Sequence, residues 1–193
     1  MNLAIVGATG LVGEEVLKVL EERKIKIDNL ILVASKKSLG KSISFSNKSY
    51  SIISIEESLD KNLDVAIFSA GKETSIEWAP KFADKGITVI DNSSAWRMDK
   101  SKKLIVPEVN GDELCSGDKI IANPNCSTIQ MLIAIAPIHR KYTITRLIIS
   151  TYQSITGTGR LAVNQLNNEY NNVDGEMAYH CLLYTSPSPR DLR

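Results

Sequence analysis

The feature that most restricts what this chain can fold into lies at its start. The apolar run Leu3 to Val6 enters Gly7-Ala8-Thr9-Gly10-Leu11-Val12-Gly13 and continues into an amphipathic stretch that reaches Arg23. Gly7 permits a tight turn, Gly10 lets phosphates approach the main chain, and Gly13 lets the helix lie close on the strand. N–H groups left unpaired at the helix start would then face a pyrophosphate. Spaced glycines also occur in turns that bind nothing, so the specificity comes from position, between a first strand and a first helix.

In the helical stretch Val12, Val16, Leu17, Val19 and Leu20 form an apolar stripe, with Glu14, Glu15, Lys18, Glu21 and Glu22 mostly on the wet side. Further apolar runs, Leu30 to Ala34, Val65 to Phe68 and Thr88 to Ile90, flank a helical segment from Thr74 to Lys85 that stops at Gly86. This order is that of βαβ units around a parallel sheet, and it predicts an α/β, Rossmann-like nucleotide-binding domain over residues 1–122. A second region, over 123–179, is expected to begin an incomplete α+β catalytic and dimerisation domain. There the strand Ile120 to Ala122 runs into Asn123-Pro-Asn-Cys-Ser-Thr128 and an almost wholly apolar stretch, Ile129 to Ile138. That pattern predicts a helix starting near Ser127 or Thr128, buried between layers and bent or ended by Pro137. Thr143 to Tyr152 reads as β-rich, and Arg160 to about Asn168 as helical. Residues 180–193, with Ser-Pro-Ser-Pro and no apolar period, are expected to be an unpacked, non-native tail.

Twenty-three basic and 22 acidic residues are spread along the 193, so no basic stripe or acidic tail points to nucleic acid or a membrane surface. A small-molecule partner is expected instead. No run approaches the roughly 20 apolar residues of a membrane span, and the N-terminus lacks the pattern of a secretory leader. Cys115, Cys126 and Cys181 are odd in number and irregular in spacing, which suggests neither a disulfide framework nor a metal site. A reducing cytoplasm is the expected setting.

Several short stretches carry possible chemistry. Where many nucleotide-binding folds place an acidic residue after the second strand, this chain has Ser35-Lys36-Lys37-Ser38. Two ammonium groups and two hydroxyls suit a ribose 2′-phosphate, hence NADP; a solvated basic loop is the other reading. Cys126 alone would more often be a small buried hydrophobe. Its position before a helix start, where the dipole favours a thiolate, and beside Asn123 and Asn125, makes it a candidate nucleophile. A thiolate attacking an aldehyde gives a thiohemiacetal; loss of hydride to a nicotinamide leaves a thioester, which phosphate can cleave to an acyl phosphate. Arg97, in Asp91-Asn-Ser-Ser-Ala-Trp-Arg97, could hold a phosphate or carboxylate bidentately, or be a surface arginine after a polar turn. Gln153, in Gln153-Ser-Ile-Thr-Gly-Thr-Gly-Arg160, offers a donor and an acceptor, although an ordinary strand-to-helix turn accounts for that stretch equally well.

Taken together, GATGLVG at 7–13, SKKS at 35–38, FSAG at 68–71, DNSSAWRM at 91–98, VPEVN at 106–110, NPNCST at 123–128 and QSITGTGR at 153–160 resemble the aspartate-semialdehyde dehydrogenase family. The resemblance covers about residues 1–179. It implies an NADP- and phosphate-dependent enzyme that interconverts aspartate 4-semialdehyde and aspartyl phosphate, on the route to lysine, threonine and methionine, and that forms homodimers or tetramers. By the same resemblance Cys126 is the acyl-forming nucleophile, Gln153 a catalytic and substrate contact, and Arg97 and Asn125 phosphate or substrate ligands. Cofactor contacts are implied at Gly7, Thr9, Gly10, Leu11, Val12, Gly13, Ser35, Lys37, Ser38, Ser69, Gly71, Thr156 and Gly157, with no metal. The family's catalytic histidine and substrate-binding arginine have no counterpart in the matched stretch, and neither His139 nor His180 replaces the former. The expectation is therefore a truncated chain with little or no activity of its own. An N-acetylglutamyl-phosphate reductase and a non-catalytic nucleotide-binding module are the alternatives.

Overall fold

The computed structural model describes residues 1–171; the expected tail, with His180 and Cys181, lies outside them. The chain divides into two compact units, Met1–Thr151 and a second from Tyr152 onward.

In chain order, the first unit comprises β1 (Asn2–Val6), α1 (Leu11–Glu22), β2 (Asn29–Val33), β3 (Ser42–Phe45), β4 (Lys48–Ile53), α2 (Ile55–Ser58) and β5 (Val65–Phe68). It continues through α3 (Lys72–Asp84), β6 (Thr88–Asp91), β7 (Lys103–Leu104), α4 (Pro107–Asn110), β8 (Ile120–Ala122) and α5 (Cys126–Tyr142). The eight strands form one sheet in the order β3-β4-β2-β1-β5-β6-β8-β7, parallel except for the β3–β4 hairpin. The expected parallel α/β sheet is thus present, and β5 and β8 occupy the residues read for them.

Burial on both faces explains why β1 is apolar throughout. Leu3 and Ile5 enter one core with Leu17, Leu30, Leu32 and Ile52, while Ala4 and Val6 enter the other with Val33, Phe68, Phe82 and Val89. The alternation follows from the strand's period of two. Phe68 and Phe82 meet edge to face at 5.2 Å between ring centroids, fixing α3 against the sheet. Gly86, at φ +82°, ends α3 in the left-handed conformation expected of it.

Five parts differ from the sequence reading. The hairpin of β3 and β4 was not foreseen; Ser46 and Asn47, with φ of 47° and 62°, form its two-residue turn. Within α1 only Gly13 and Leu17 are buried, while Val12 and Val19 are exposed, because the contact is centred on the glycine and not on the valines. Pro137 does not end α5, which runs on to Tyr142. Its last turn is held from outside: the Arg140 guanidinium donates to the Val109 carbonyl at 2.8 Å, and Ile144 N–H donates to His139 Nδ1 at 3.1 Å. Nor is α5 buried all round, since Ala136 alone is buried and Ile133 and Ile138 are exposed. An apolar helix is covered only where a second layer meets it, and the described residues supply one on one side. Finally, 143–152 forms no strand. β-branched residues favour a strand only where an edge is available to pair with, and here Leu147, Ile148 and Ile149 are exposed.

In the second unit a 3-10 turn, Ile155–Thr158, precedes α6 (Arg160–Tyr170), close to the helix expected there. Ser154 Oγ accepts the Thr156 N–H and Gly159 has φ +101°.

Candidate active site

Parallel pairing brings the ends of β2, β1, β5, β6 and β8 into one row, Val33-Val6-Phe68-Asp91-Ala122. The ladder extends one residue further: Gly7 N–H donates to Val33 O at 2.9 Å, Ser69 to Val6 at 2.7 Å, Asn92 to Phe68 at 2.9 Å and Asn123 to Asp91 at 2.8 Å. The glycine turn, FSAG, DNSSAWR and NPNCST, far apart in sequence, therefore leave the sheet at the same carboxyl edge. β2 lies on one side of β1 and β5 on the other, so the glycine turn stands where the strand order reverses, the position at which such sheets bind ligands.

At that turn the packing permits no side chain at two positions. Gly7 has φ +95°, and a Cβ there would stand 2.4 Å from the Ser69 carbonyl oxygen. A Cβ on Gly13 would stand 2.2 Å from the Gly7 oxygen and 2.9 Å from Ala8 Cα, so α1 is seated directly on the turn. Gly10 is milder, at 3.3 Å from the Gly7 oxygen. It precedes α1 without giving a side-chain cap, so the N–H groups of Val12 and Gly13 lack the partner that a serine or aspartate would provide. A cradle of backbone donors from which Cβ atoms are excluded fits a nucleotide pyrophosphate. Thr9 lies in this turn, and Ser69 and Gly71 at the end of β5, where Gly71 caps α3 with φ +92°. Ser35, Lys36, Lys37 and Ser38 follow β2 as a short 3-10 turn in which Ser38 N–H donates to Ser35 O at 2.8 Å. The exposed Lys36 and Lys37 form no ion pair among the described residues.

Across the edge, Cys126 is exposed and is the first residue of α5, one or two positions earlier than the sequence suggested. Asn125 caps the helix, its Oδ1 accepting Ser127 N–H at 3.0 Å and Thr128 N–H at 3.4 Å. This bond holds the cysteine at the positive end of a 17-residue helix. It also commits Oδ1, leaving the amide NH2 of Asn125 as the group able to meet a substrate oxygen.

Arg97 is half-buried and braces two loops. Its Nε donates to Asn123 O at 3.0 Å and one Nη to Asn92 O at 2.9 Å, while the amides of Asn92 and Asn123 bond each other directly. One edge of the guanidinium thus holds the NPNC segment, and the rest of the fork is left for an anion. Partial burial pushes the pKa of the guanidinium below its ordinary value, and the neighbouring Asp91 and Cys126 oppose that shift. Beneath it Asp91 is fully buried; its Oδ2 accepts from Ser93 Oγ at 2.6 Å and its Oδ1 has no partner. Trp96 Nε1 donates to buried Ser75 Oγ at 2.8 Å, fastening the same loop to α3. Sequence reasoning missed Asp91 and Ser75 as parts of this site; the only signal was an aspartate closing the apolar strand Thr88-Val-Ile-Asp91. Gln153, Thr156 and Gly157 belong to the second unit, where the Thr156 N–H is held by Ser154. Among the described residues no cluster of three His, Cys, Asp or Glu could hold a metal ion.

A switch-point glycine cradle, with an exposed cysteine opening a helix on the same sheet edge, defines an α/β protein of the Rossmann-like nucleotide-binding class. Residues 2–116 match the family described as semialdehyde dehydrogenase, NAD binding domain, and the chain belongs to that family. It is 53% identical over 171 residues to the aspartate-semialdehyde dehydrogenase of Aquifex aeolicus, a match covering 87% of this chain and 50% of that protein. Identity to the Bacillus subtilis enzyme of the same name is 43% over 166 residues, covering 86% and 48%. The crystal structure of aspartate semialdehyde dehydrogenase II from Vibrio cholerae, complexed with ASA, superposes with a TM-score of 0.81 at 42% identity, covering 91% of this chain and 54% of that one. The chain spans about half the length of the curated relatives it matches.

Proposed function

We propose that this chain supplies the NADP-binding and nucleophile-bearing part of an aspartate-semialdehyde dehydrogenase, which interconverts L-aspartate 4-semialdehyde and L-4-aspartyl phosphate. The observation that carries the reading is the exposed sulfur of Cys126 at the start of α5, with Arg97 beside it, on the edge that bears the glycine cradle. In this reading Cys126 Sγ bonds to the aldehyde carbon, and the helix N-terminus and the Asn125 amide stabilise the oxygen that gains negative charge. NADP, when bound, accepts the hydride in the direction of aldehyde oxidation. The acyl group then remains on Cys126 as a thioester. Arg97 holds inorganic phosphate, one of whose oxygens attacks the acyl carbon and expels the sulfur. Ser35, Lys37 and Ser38 hold the 2′-phosphate that distinguishes NADP, and the cradle from Gly7 to Gly13 holds the pyrophosphate. Ser69 and Gly71 border the nucleotide, while Gln153 contacts substrate and Thr156 and Gly157 contact the cofactor.

The division at 122/123, between a nucleotide domain and a catalytic and dimerisation domain, belongs to the same proposal, as do a homodimeric or tetrameric assembly and a role in lysine, threonine and methionine synthesis. Site-resolved iodoacetamide labelling tests the core of it. Cys126 is expected to react faster than Cys115, which is also exposed, and inorganic phosphate is expected to slow Cys126 alone. Equal rates without protection would leave a nucleotide-binding module that does no chemistry.

A further inference from the structure

The buried carboxylate of Asp91 has no part in the mechanism above. It closes β6, the strand between those that deliver FSAG and NPNCST. It is fully inaccessible, has one hydrogen bond, from Ser93, and has an Oδ1 that nothing satisfies. Buried carboxylates are ordinarily paired or fully hydrogen-bonded, because desolvation penalises the charge. Asp91 forms no ion pair within 4 Å among the described residues, and its main chain adjoins both carbonyls that hold Arg97, since Asn92 follows it and Asn123 N–H donates to Asp91 O at 2.8 Å. Arg97, for its part, does not need Asp91 for its placement. It is held by the carbonyls of Asn92 and Asn123.

We infer that Asp91 is a positioning residue that works by charge: from beneath the 92–97 loop it offsets Arg97 and limits the positive field at the Cys126 sulfur and at an oxyanion bound beside it. The inference rests on the nucleophile reading of Cys126 and adds a function for the buried carboxylate. A site holding Arg97 alone would retain phosphate or a carboxylate tightly. With Asp91 behind the guanidinium, the anion is recognised by the geometry of the fork and still released.

The test compares alkylation of Cys126 by anionic iodoacetate and neutral iodoacetamide, resolved by mass spectrometry. The ratio of the two rates reports the local field, because the fraction of sulfur in its reactive form cancels. Asp91→Asn, which can keep the Ser93 bond, is expected to raise the ratio at Cys126 about three- to tenfold, as removal of one charge several ångströms away implies for a partly exposed site, and to leave the ratio at Cys115 unchanged. Ser93→Ala, which removes the hydrogen bond and keeps the charge, is expected not to raise it. A folded Asp91→Asn protein with an unchanged or lower ratio would overturn the inference, as would equal increases in both variants. If Asp91→Asn does not fold alone, the Asp91→Asn, Arg97→Met double variant decides: its ratio at Cys126 should exceed that of Arg97→Met, which keeps the carboxylate and the same helix start, and an equal or lower ratio refutes the role. Failure of the nucleophile reading shows separately, as wild-type Cys126 reacting with iodoacetamide no faster than Cys115.

Discussion

Gly13→Ala sets two effects of opposite sign against each other. Gly13 lies inside α1, where alanine is the better helix former by about 1 kcal/mol. A surface helix would be stabilised by the change. At this position, however, the new methyl would stand 2.2 Å from the Gly7 oxygen and 2.9 Å from Ala8 Cα, both backbone atoms that cannot rotate away. Reaching an ordinary contact requires α1 to retreat from β1 by about 1 Å, and overpacking of this kind costs about 1–3 kcal/mol, occasionally more. With backbone atoms at 2.2 Å the clash falls at the upper end of that range and outweighs the propensity, so a net loss of up to about 2 kcal/mol is expected, which for a protein of this size lowers Tm by up to roughly 8 °C. The same retreat draws the Leu11 and Val12 N–H groups away from the pyrophosphate, so NADPH affinity should fall at least about tenfold, the equivalent of 1.4 kcal/mol. Circular-dichroism melting and NADPH fluorescence titration read the two effects. Gly10→Ala, with 3.3 Å of clearance, should be visibly milder in both. A Gly13→Ala protein that melts at or above the wild-type temperature and binds NADPH normally would refute the close seating of α1.

Three other outcomes follow from the site. Lys37→Glu places a carboxylate where the 2′-phosphate is proposed to bind and should weaken NADPH far more than NADH in parallel titrations; equal losses would assign Lys37 to solvent. Arg97→Lys puts one ammonium where two nitrogens of a planar fork meet Asn92 and Asn123, so a stability loss of about 1–2 kcal/mol in urea denaturation should accompany loss of phosphate protection at Cys126. If protection disappears with stability unchanged, the bracing role is wrong and the anion role stands. Asn125→Ala removes the cap of α5 and should destabilise by about 1 kcal/mol, with most of it recovered in Asn125→Asp; urea midpoints for the three proteins decide.

The central sheet was legible because β1, β5 and β8 are short, apolar and bounded by turn residues, so burial on both faces is written into their composition. The hairpin of β3 and β4 was overlooked although serines alternate with Ile43, Phe45, Tyr50 and Ile52, the period-two pattern of a half-buried strand. Its turn residues, Ser46 and Asn47, lack the glycine that usually announces such a turn. Cys126, Asn125 and Arg97 could be singled out by residue type and neighbourhood. What holds Arg97 could not, because its partners are main-chain carbonyls that belong to every residue and are selected only by the fold. The same holds for Asp91: its sequence neighbours are polar on one side, and strand pairing alone places it in the interior. With α5 the error ran the other way, since apolar composition records a tendency to be covered and not what covers it.

The sheet that carries these loops also works as a ruler. The glycine cradle leaves from β1 and the cysteine segment from β8, with β5 and β6 between them. At about 4.8 Å per strand, three spacings separate the two by roughly 14 Å along the edge. Loops and helices can change length without altering that distance, because hydrogen bonding fixes it. Inserting or losing one strand between β1 and β8 would change it by a whole strand spacing, more than the rotation of a side chain could recover. Strand count in this interval is therefore the least variable quantity in the fold, and a redesign that preserves every named residue but adds a strand there would separate the nucleotide from the sulfur.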